Sequence, residues 1–211
     1  GATKRAAALT HRLLAFSRRQ TLDPKPTDVA RLVSGMQEMI QRSVGPGIVV
    51  DVANTSGLWA VLVDAPQLES ALLNLCINAR DAMPDGGHIK METANTVLDE
   101  REAEQLQIPA GEYLTLCVTD NGTGIPPELL TRVFEPFFTT KPLGSGTGLG
   151  LSMIYGFAHQ SGGQVRIQSQ PGEGTSVRLY LPRHHGDTEN ESQPAEAPEL
   201  NGDAQSETVL V

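Results

Sequence analysis

Two cysteines among 211 residues rule out a dense disulfide framework and a thiolate metal centre. Cys76 and Cys117 each sit inside an apolar run and read as buried free thiols, which suits a reducing, cytoplasmic setting. No apolar run reaches the roughly 20 residues of a membrane-spanning helix, and no secretory signal is present. Basic residues are missing from the C-terminal stretch: none follows Arg183, whereas seven acids do (Asp187, Glu189, Glu191, Glu196, Glu199, Asp203 and Glu207). With those seven set aside from a net charge of −9, the body of the chain stands near −2. The acidity belongs to a tail, and the near-neutral body gives no support to nucleic acid as a partner. The chain also lacks the Gly-Lys-Ser/Thr ending of a P-loop.

What the chain does have is concentrated between Asp120 and Ser152. Tyr113 to Val118 alternates apolar residues as a strand does, and Asp120 ends it. An ionised carboxylate only accepts hydrogen bonds, so Asp120 suits an exocyclic amine such as that of adenine. Gly122 and Gly124 let the backbone approach a flat ring. A second run, Gly146, Gly148 and Gly150, opens into an apolar helix over Leu149 to Ser161. Backbone N–H groups and the dipole at a helix start favour a polyphosphate. Between the runs, Phe-Phe-Thr-Thr-Lys leads to Lys141, a mobile positive charge on a flap from about Pro136 to Ser145. The order places a base at the front and phosphates at the back.

The flanking chain supplies the scaffold. Residues 2 to 20 predict an amphipathic helix with Ala6, Leu9, Leu13 and Phe16 on one face, ended by Pro24 and Pro26. Asp28 caps a helix to about Ser43, broken by Gly45-Pro46-Gly47. Ile48 to Val52 and Leu58 to Val63 read as strands of a hairpin. Asp64-Ala65-Pro66 opens a helix to about Met83, in which Leu68, Leu72, Leu75, Ala79 and Ala82 form the buried face. Asn74, Asn78 and Asp81 form a second, polar stripe on it. Asparagine is a poor helix former, so two on one stripe invite a functional reason. A strand follows from His88 to about Val97, then a charged helical insertion or loop from Asp99 to Gln107. Pro126 to Val133 reads as a short helix. Gln164 to Ser169 and Gly174 to Leu181 are strands joined through Pro171-Gly172-Glu173. Residues 184 to 206 are polar and acidic, the composition of a disordered linker, and Glu207 to Val211 reads as the start of a buried strand.

Taken together these residues resemble the ATP-binding catalytic domain of sensor histidine kinases. That domain belongs to a superfamily shared with heat-shock chaperone ATPases, MutL proteins and type II topoisomerases. Asp120, Gly122 and Gly124 match its first glycine box. Phe134, Phe137 and Phe138 match its F box, and Gly146, Gly148 and Gly150 its second glycine box. The resemblance implies an α/β (α+β) two-layer sandwich of the Bergerat type, a mixed sheet with helices on one face, over residues 23 to 183. It implies ATP as substrate with Mg²⁺, the metal held by the side-chain oxygen of Asn78, with Asn74 behind it and Asp81 further along the same stripe. It further implies a nucleotide site that includes Ile125, Phe138, Thr140, Lys141, Thr147, Leu149 and Thr175 beside the glycines, with Asn78 and Lys141 serving catalysis.

Residues 1 to 22 resemble the second helix of the family's dimerisation hairpin. His11 is followed by Arg12 and Leu13, whereas the family's phosphoacceptor is followed by an acid. The acceptor, and with it a second protomer, is therefore expected outside this chain. The last five residues resemble the first strand of a receiver domain, which implies a hybrid kinase passing phosphate to a receiver in cis and on to a downstream regulator. A chaperone- or MutL-like ATPase is the rival reading. Those enzymes place a glutamate base one helical turn before the magnesium asparagine, and this chain has Asn74 there. A nucleotide-binding regulatory module without transfer activity is the other rival.

Overall fold

The computed structural model describes residues 23–142 and 146–186. The N-terminal helix, most of the acidic linker and the final strand expected from the sequence lie outside the described residues.

Among the described residues twelve elements follow one another: β1 (Lys25–Thr27), α1 (Val29–Val44), β2 (Ile48–Asn54), β3 (Val61–Val63), α2 (Ala65–Asp81), β4 (Gly87–Leu98), α3 (Glu100–Leu106), β5 (Gly111–Asp120), α4 (Pro127–Leu130), α5 (Gly150–Gln160), β6 (Gln164–Gln170) and β7 (Gly174–Pro182). The helix starts follow the chemistry of their caps. The Asp28 carboxylate accepts from Arg31 N at 3.0 Å and that of Asp64 from Gln67 N at 3.1 Å, each satisfying a first-turn donor. α1 buries Val29, Val33, Met36, Ile40 and Val44, and α2 buries Leu68, Ala71, Leu72, Leu75, Cys76 and Ala79.

Five strands form one mixed sheet in the order β2-β4-β5-β7-β6, parallel between β2 and β4 and antiparallel elsewhere. Alternate residues of each strand face α1, α2 and α5: Ile89 and Met91 of β4, Leu114, Leu116 and Val118 of β5, and Val177, Leu179 and Leu181 of β7. This is the two-layer arrangement expected, with the three long helices α1, α2 and α5 on one face. Leu72 is wholly buried there, so its truncation to alanine is worth about 2–5 kcal/mol of stability. On the other face α3, whose Asp99–Glu102 capping box is complete, covers a small cluster of Leu98, Ala103 and Tyr113.

The expected hairpin between the second and third strands does not form. β2 pairs in parallel with β4 over seven residues, and β3 instead joins β1 in a separate two-stranded sheet. The cause lies at the β2 edge. Gln37 and Gln41 of α1 take its outward groups: Gln37 donates to Val50 O at 3.2 Å, and Gln41 donates to Ile48 O at 2.7 Å and accepts from Val50 N at 3.2 Å. With that edge satisfied, no place remains beside it for β3. Asn95 of β4 holds the connecting segment away, donating to Gly57 O and accepting from Trp59 N, each at 2.9 Å. Val61 of β3 also bridges to Arg183, which stacks over Trp59 at 4.8 Å and pairs with Glu112 at 3.0 Å.

Candidate active site

The site is assembled where α2, the end of β5 and the start of α5 meet. Asp120 ends β5 with only 9% of its surface exposed. Its Oδ1 accepts from Gly122 N at 2.8 Å. Burial raises the Asp120 pKa above the usual carboxylate range, and the N–H groups of Gly122 and Thr175 offset part of that rise. Opposite Asp120, Thr175 is its register partner on β7.

The turn after Asp120 is fastened at both sides. Thr123 N donates to Ala82 O at 3.0 Å, just past the end of α2, and Gly172 N donates to Thr123 O at 2.8 Å. Gly124 has φ +69, and a Cβ there would run into the Gln170 carbonyl, so the position demands glycine. Ser169, absent from the sequence reading, organises this corner. Its Oγ accepts from Ile125 N at 2.8 Å, donates to Gly174 O at 2.8 Å and lies 2.9 Å from Thr175 Oγ1. The hydroxyl of Thr175, one of the residues expected in the nucleotide site, is thus engaged with Ser169. The signal was available: pairing the last two strands through their short turn puts Ser169 opposite Thr175.

The second half of the site faces α2. Helix α5 begins at Gly150 with no side-chain cap, leaving the N–H groups of its first turn to an external acceptor. A Cβ on Gly150 would stand 3.4 Å from Asn78 Nδ2 and 4.0 Å from Asn74 Cβ, so both asparagines of the polar stripe abut this helix start. Gly146 and Gly148 precede the helix rather than belonging to it. Gly148 has φ +66 and packs so closely on Phe137 that a Cβ would enter the Phe137 backbone; Phe137 N donates to Gly148 O at 2.9 Å. The Thr147 hydroxyl accepts from Leu149 N at 3.4 Å, and Leu149 is buried.

The three phenylalanines behave differently. Phe134 packs on Tyr155 with ring centroids 5.5 Å apart, and the Arg132 guanidinium lies 4.7 Å over Phe138. Phe137 is 52% exposed and sits at φ +68, a strained backbone for a bulky residue. Thr140 is exposed. Lys141 turns back onto α2: its Nζ lies 2.5 Å from Asp81 Oδ2 and 3.3 Å from Asn78 Oδ1. Arg80 also pairs with Asp81, at 2.7 Å. Burial pushes the Asp81 pKa up, but the hydrogen bonds and charges of Lys141 and Arg80 outweigh it, so its carboxyl is held below its ordinary value. Beside these residues a cavity of about 540 Å³ opens, lined by Val44, Ile48, Arg80, Asp81, Met83 and Lys141 among others, and it does not reach Asp120. The expected residues therefore fall into two groups. Gly122, Gly124, Ile125 and Thr175 surround Asp120, while Asn74, Asn78, Asp81, Lys141 and Gly146 to Gly150 meet across α2 and α5. The link at Thr123 and Ala82 joins the groups.

Residues 63–185 match the model of the histidine kinase-, DNA gyrase B-, and HSP90-like ATPase family. The chain belongs to this family. It is 42% identical over 196 residues to the sensor kinase CckA of Brucella abortus (strain 2308), an alignment that covers 92% of this chain and 21% of CckA. The chain thus spans about a fifth of the length of that relative. Among solved structures, it superposes on a mycobacterial sensor histidine kinase, MprB, with a TM-score of 0.61 and 27% identity, covering 76% of this chain and 97% of the other. It shares its fold with full-length ShkA in complex with AMPPNP, at a TM-score of 0.61, 24% identity and coverage of 77% and 31%. The mixed sheet with helices on one face is the fold of this family. Among the described residues, no helix is long and apolar enough to cross a membrane.

Proposed function

We propose that the chain is the catalytic module of a hybrid sensor histidine kinase, transferring the γ-phosphoryl group of ATP to a histidine on a dimerisation hairpin. The observation that carries this reading is the contact of Asn78 with Gly150. The Asn78 amide turns its Nδ2 toward the uncapped start of α5 and its Oδ1 toward the Lys141 ammonium, so a cation-binding oxygen and free helix donors adjoin, which suits a metal-bound polyphosphate. Asp120 accepts the adenine amine. The first-turn N–H groups of α5 hold the phosphates in line with the incoming imidazole. Lys141, on a segment that already contacts α2, neutralises charge that builds on the transferred group.

The donor set fits Mg²⁺: Asn78 Oδ1 and Asp81 Oδ2 already converge on one cation, the Lys141 ammonium. Asn78 would hold the metal, Asn74 supporting it, and the ion would supply charge neutralisation for the phosphates. Asn74 is an amide where a hydrolytic base is required, which favours transfer to histidine over transfer to water. The nucleophile belongs to a hairpin of the full-length homodimer, and the product phosphate passes to a receiver and a downstream regulator in the cytoplasm. Titration with ATP and Mg²⁺, comparing wild type with Asn78→Ala, tests the assignment. The account expects nucleotide binding in both and a collapse of transfer rate at saturating ATP in the variant. Equal rates in the two would refute the metal role of Asn78.

A further inference from the structure

The Lys141 ammonium and the proposed metal have the same two oxygens available to them. Asn78 and Asp81 lie three residues apart on α2, on one face of the helix. Their side-chain oxygens are 3.3 Å and 2.5 Å from a single Nζ. The three side chains are not free surface groups: Lys141 is 30% exposed and Asp81 26% exposed. Arg80, on the same helix, is turned toward Ser43 O at 3.2 Å and grips the other oxygen of Asp81, leaving Oδ2 for the incoming cation. A carboxylate and an amide oxygen one turn apart on the same helix face form a seat for one positive charge. Two cations within contact distance of each other in this seat would repel strongly at the reduced dielectric of a part-buried site.

We infer that Asn78 Oδ1 and Asp81 Oδ2 form one cation seat, which the Lys141 ammonium fills without nucleotide and yields to the divalent cation that arrives with it. The inference rests on the nucleotide reading above and extends it. Asp81 then has two roles: it offers one of the two oxygens to the metal, and without metal it holds Lys141 over the seat, so that metal binding releases the lysine to the phosphates. The lysine is an internal competitor for the metal. Removing it should tighten metal binding, although the same lysine is expected to help the reaction. A lysine that acts only on phosphate predicts the opposite sign.

The test uses the full chain at saturating ADP, with Mn²⁺ as the metal probe and free Mn²⁺ read by electron paramagnetic resonance. Lys141→Met keeps the length of the stem and removes the charge. Mn²⁺ should bind it about three- to fivefold more tightly than wild type, the scale of a part-exposed ion pair. In an Asp81→Asn background, where the lysine has lost its anchor, the gain from Lys141→Met should shrink below about twofold. Unchanged or weaker Mn²⁺ binding in Lys141→Met, or a gain of the same size in both backgrounds, overturns the shared seat. ADP binding by the wild type is measured first, without metal. Its absence would instead overturn the nucleotide reading, and this inference with it.

Discussion

Replacing Asp120 with asparagine tests the base-recognition end of the site, and the structure dictates how the new amide must sit. Gly122 N points at Oδ1 from 2.8 Å. An asparagine keeps that bond only by placing its own Oδ1 there, which turns Nδ2 toward the base. A donor then faces the donor amine of adenine. The lost charge-assisted hydrogen bond is worth about 1.5–3 kcal/mol, or roughly tenfold to 150-fold in dissociation constant. The backbone anchor survives, so the variant should fold. Calorimetry should show ATP binding weakened by that factor. ITP, whose six-position oxygen is an acceptor, should lose far less, because the new Nδ2 can donate to it. Equal affinity of wild type and variant for ATP, or equal losses for ATP and ITP, would refute the assignment of Asp120 to the adenine amine.

The same residue carries a pH signature. Its folded-state pKa lies above the unfolded value because of burial, so Asp120 costs stability as pH rises from the ordinary carboxylate range through the folded pKa. The stability of Asp120→Asn relative to wild type, by chemical denaturation, should therefore grow with pH across that window and be flat above it; a gap that narrows as pH rises contradicts the burial argument. Gly148→Ala forces a Cβ against the Phe137 backbone at φ +66. It should lower stability by at least about 1–2 kcal/mol in thermal unfolding, while Gly35→Ala, in open space on α1, should stabilise slightly; a silent Gly148→Ala would deny that contact. In the nucleotide-free chain, amides of residues 137–141 should exchange faster than those of Leu68 to Ala79, because their contacts are part-exposed and few; equal protection in a hydrogen-exchange experiment would count against that ranking.

How much of this was legible in the sequence varies by the kind of information involved. Local chemistry wrote itself plainly: Asp28 and Asp64 announce helix starts, and the alternation of Leu114, Leu116 and Val118 announces a half-buried strand, whereas Asp99 to Gln107 stayed open between helix and loop. The glycine runs and the asparagine stripe marked the site because each is locally unfavourable without a ligand or a turn to justify it. Strand partnership was not legible. Ile48 to Val52 and Leu58 to Val63 carry the same β pattern whichever neighbour they take. The choice rests on Gln37 and Gln41, which look like ordinary polar positions of α1 until they are seen bonded to the β2 edge. Ser169 was missed for a different reason: the short turn between β6 and β7 does set it opposite Thr175, but a serine within a strand shows no role until that register is laid out. Lys141 was identified as a mobile charge, but its seat beside Asp81 depends on a chain reversal that no periodicity encodes.

Transfer itself is the central claim, and one labelling experiment addresses it. The chain is incubated with γ-labelled ATP and Mg²⁺, alone and with an intact acceptor hairpin supplied separately. None of its five histidines is followed by an acidic residue in the sequence. The account predicts no stable label on the chain alone and acid-labile label on the hairpin, lost in Asn78→Ala. Stoichiometric acid-labile label on the chain alone that disappears in His11→Ala, or no label on a hairpin shown to bind, would contradict it.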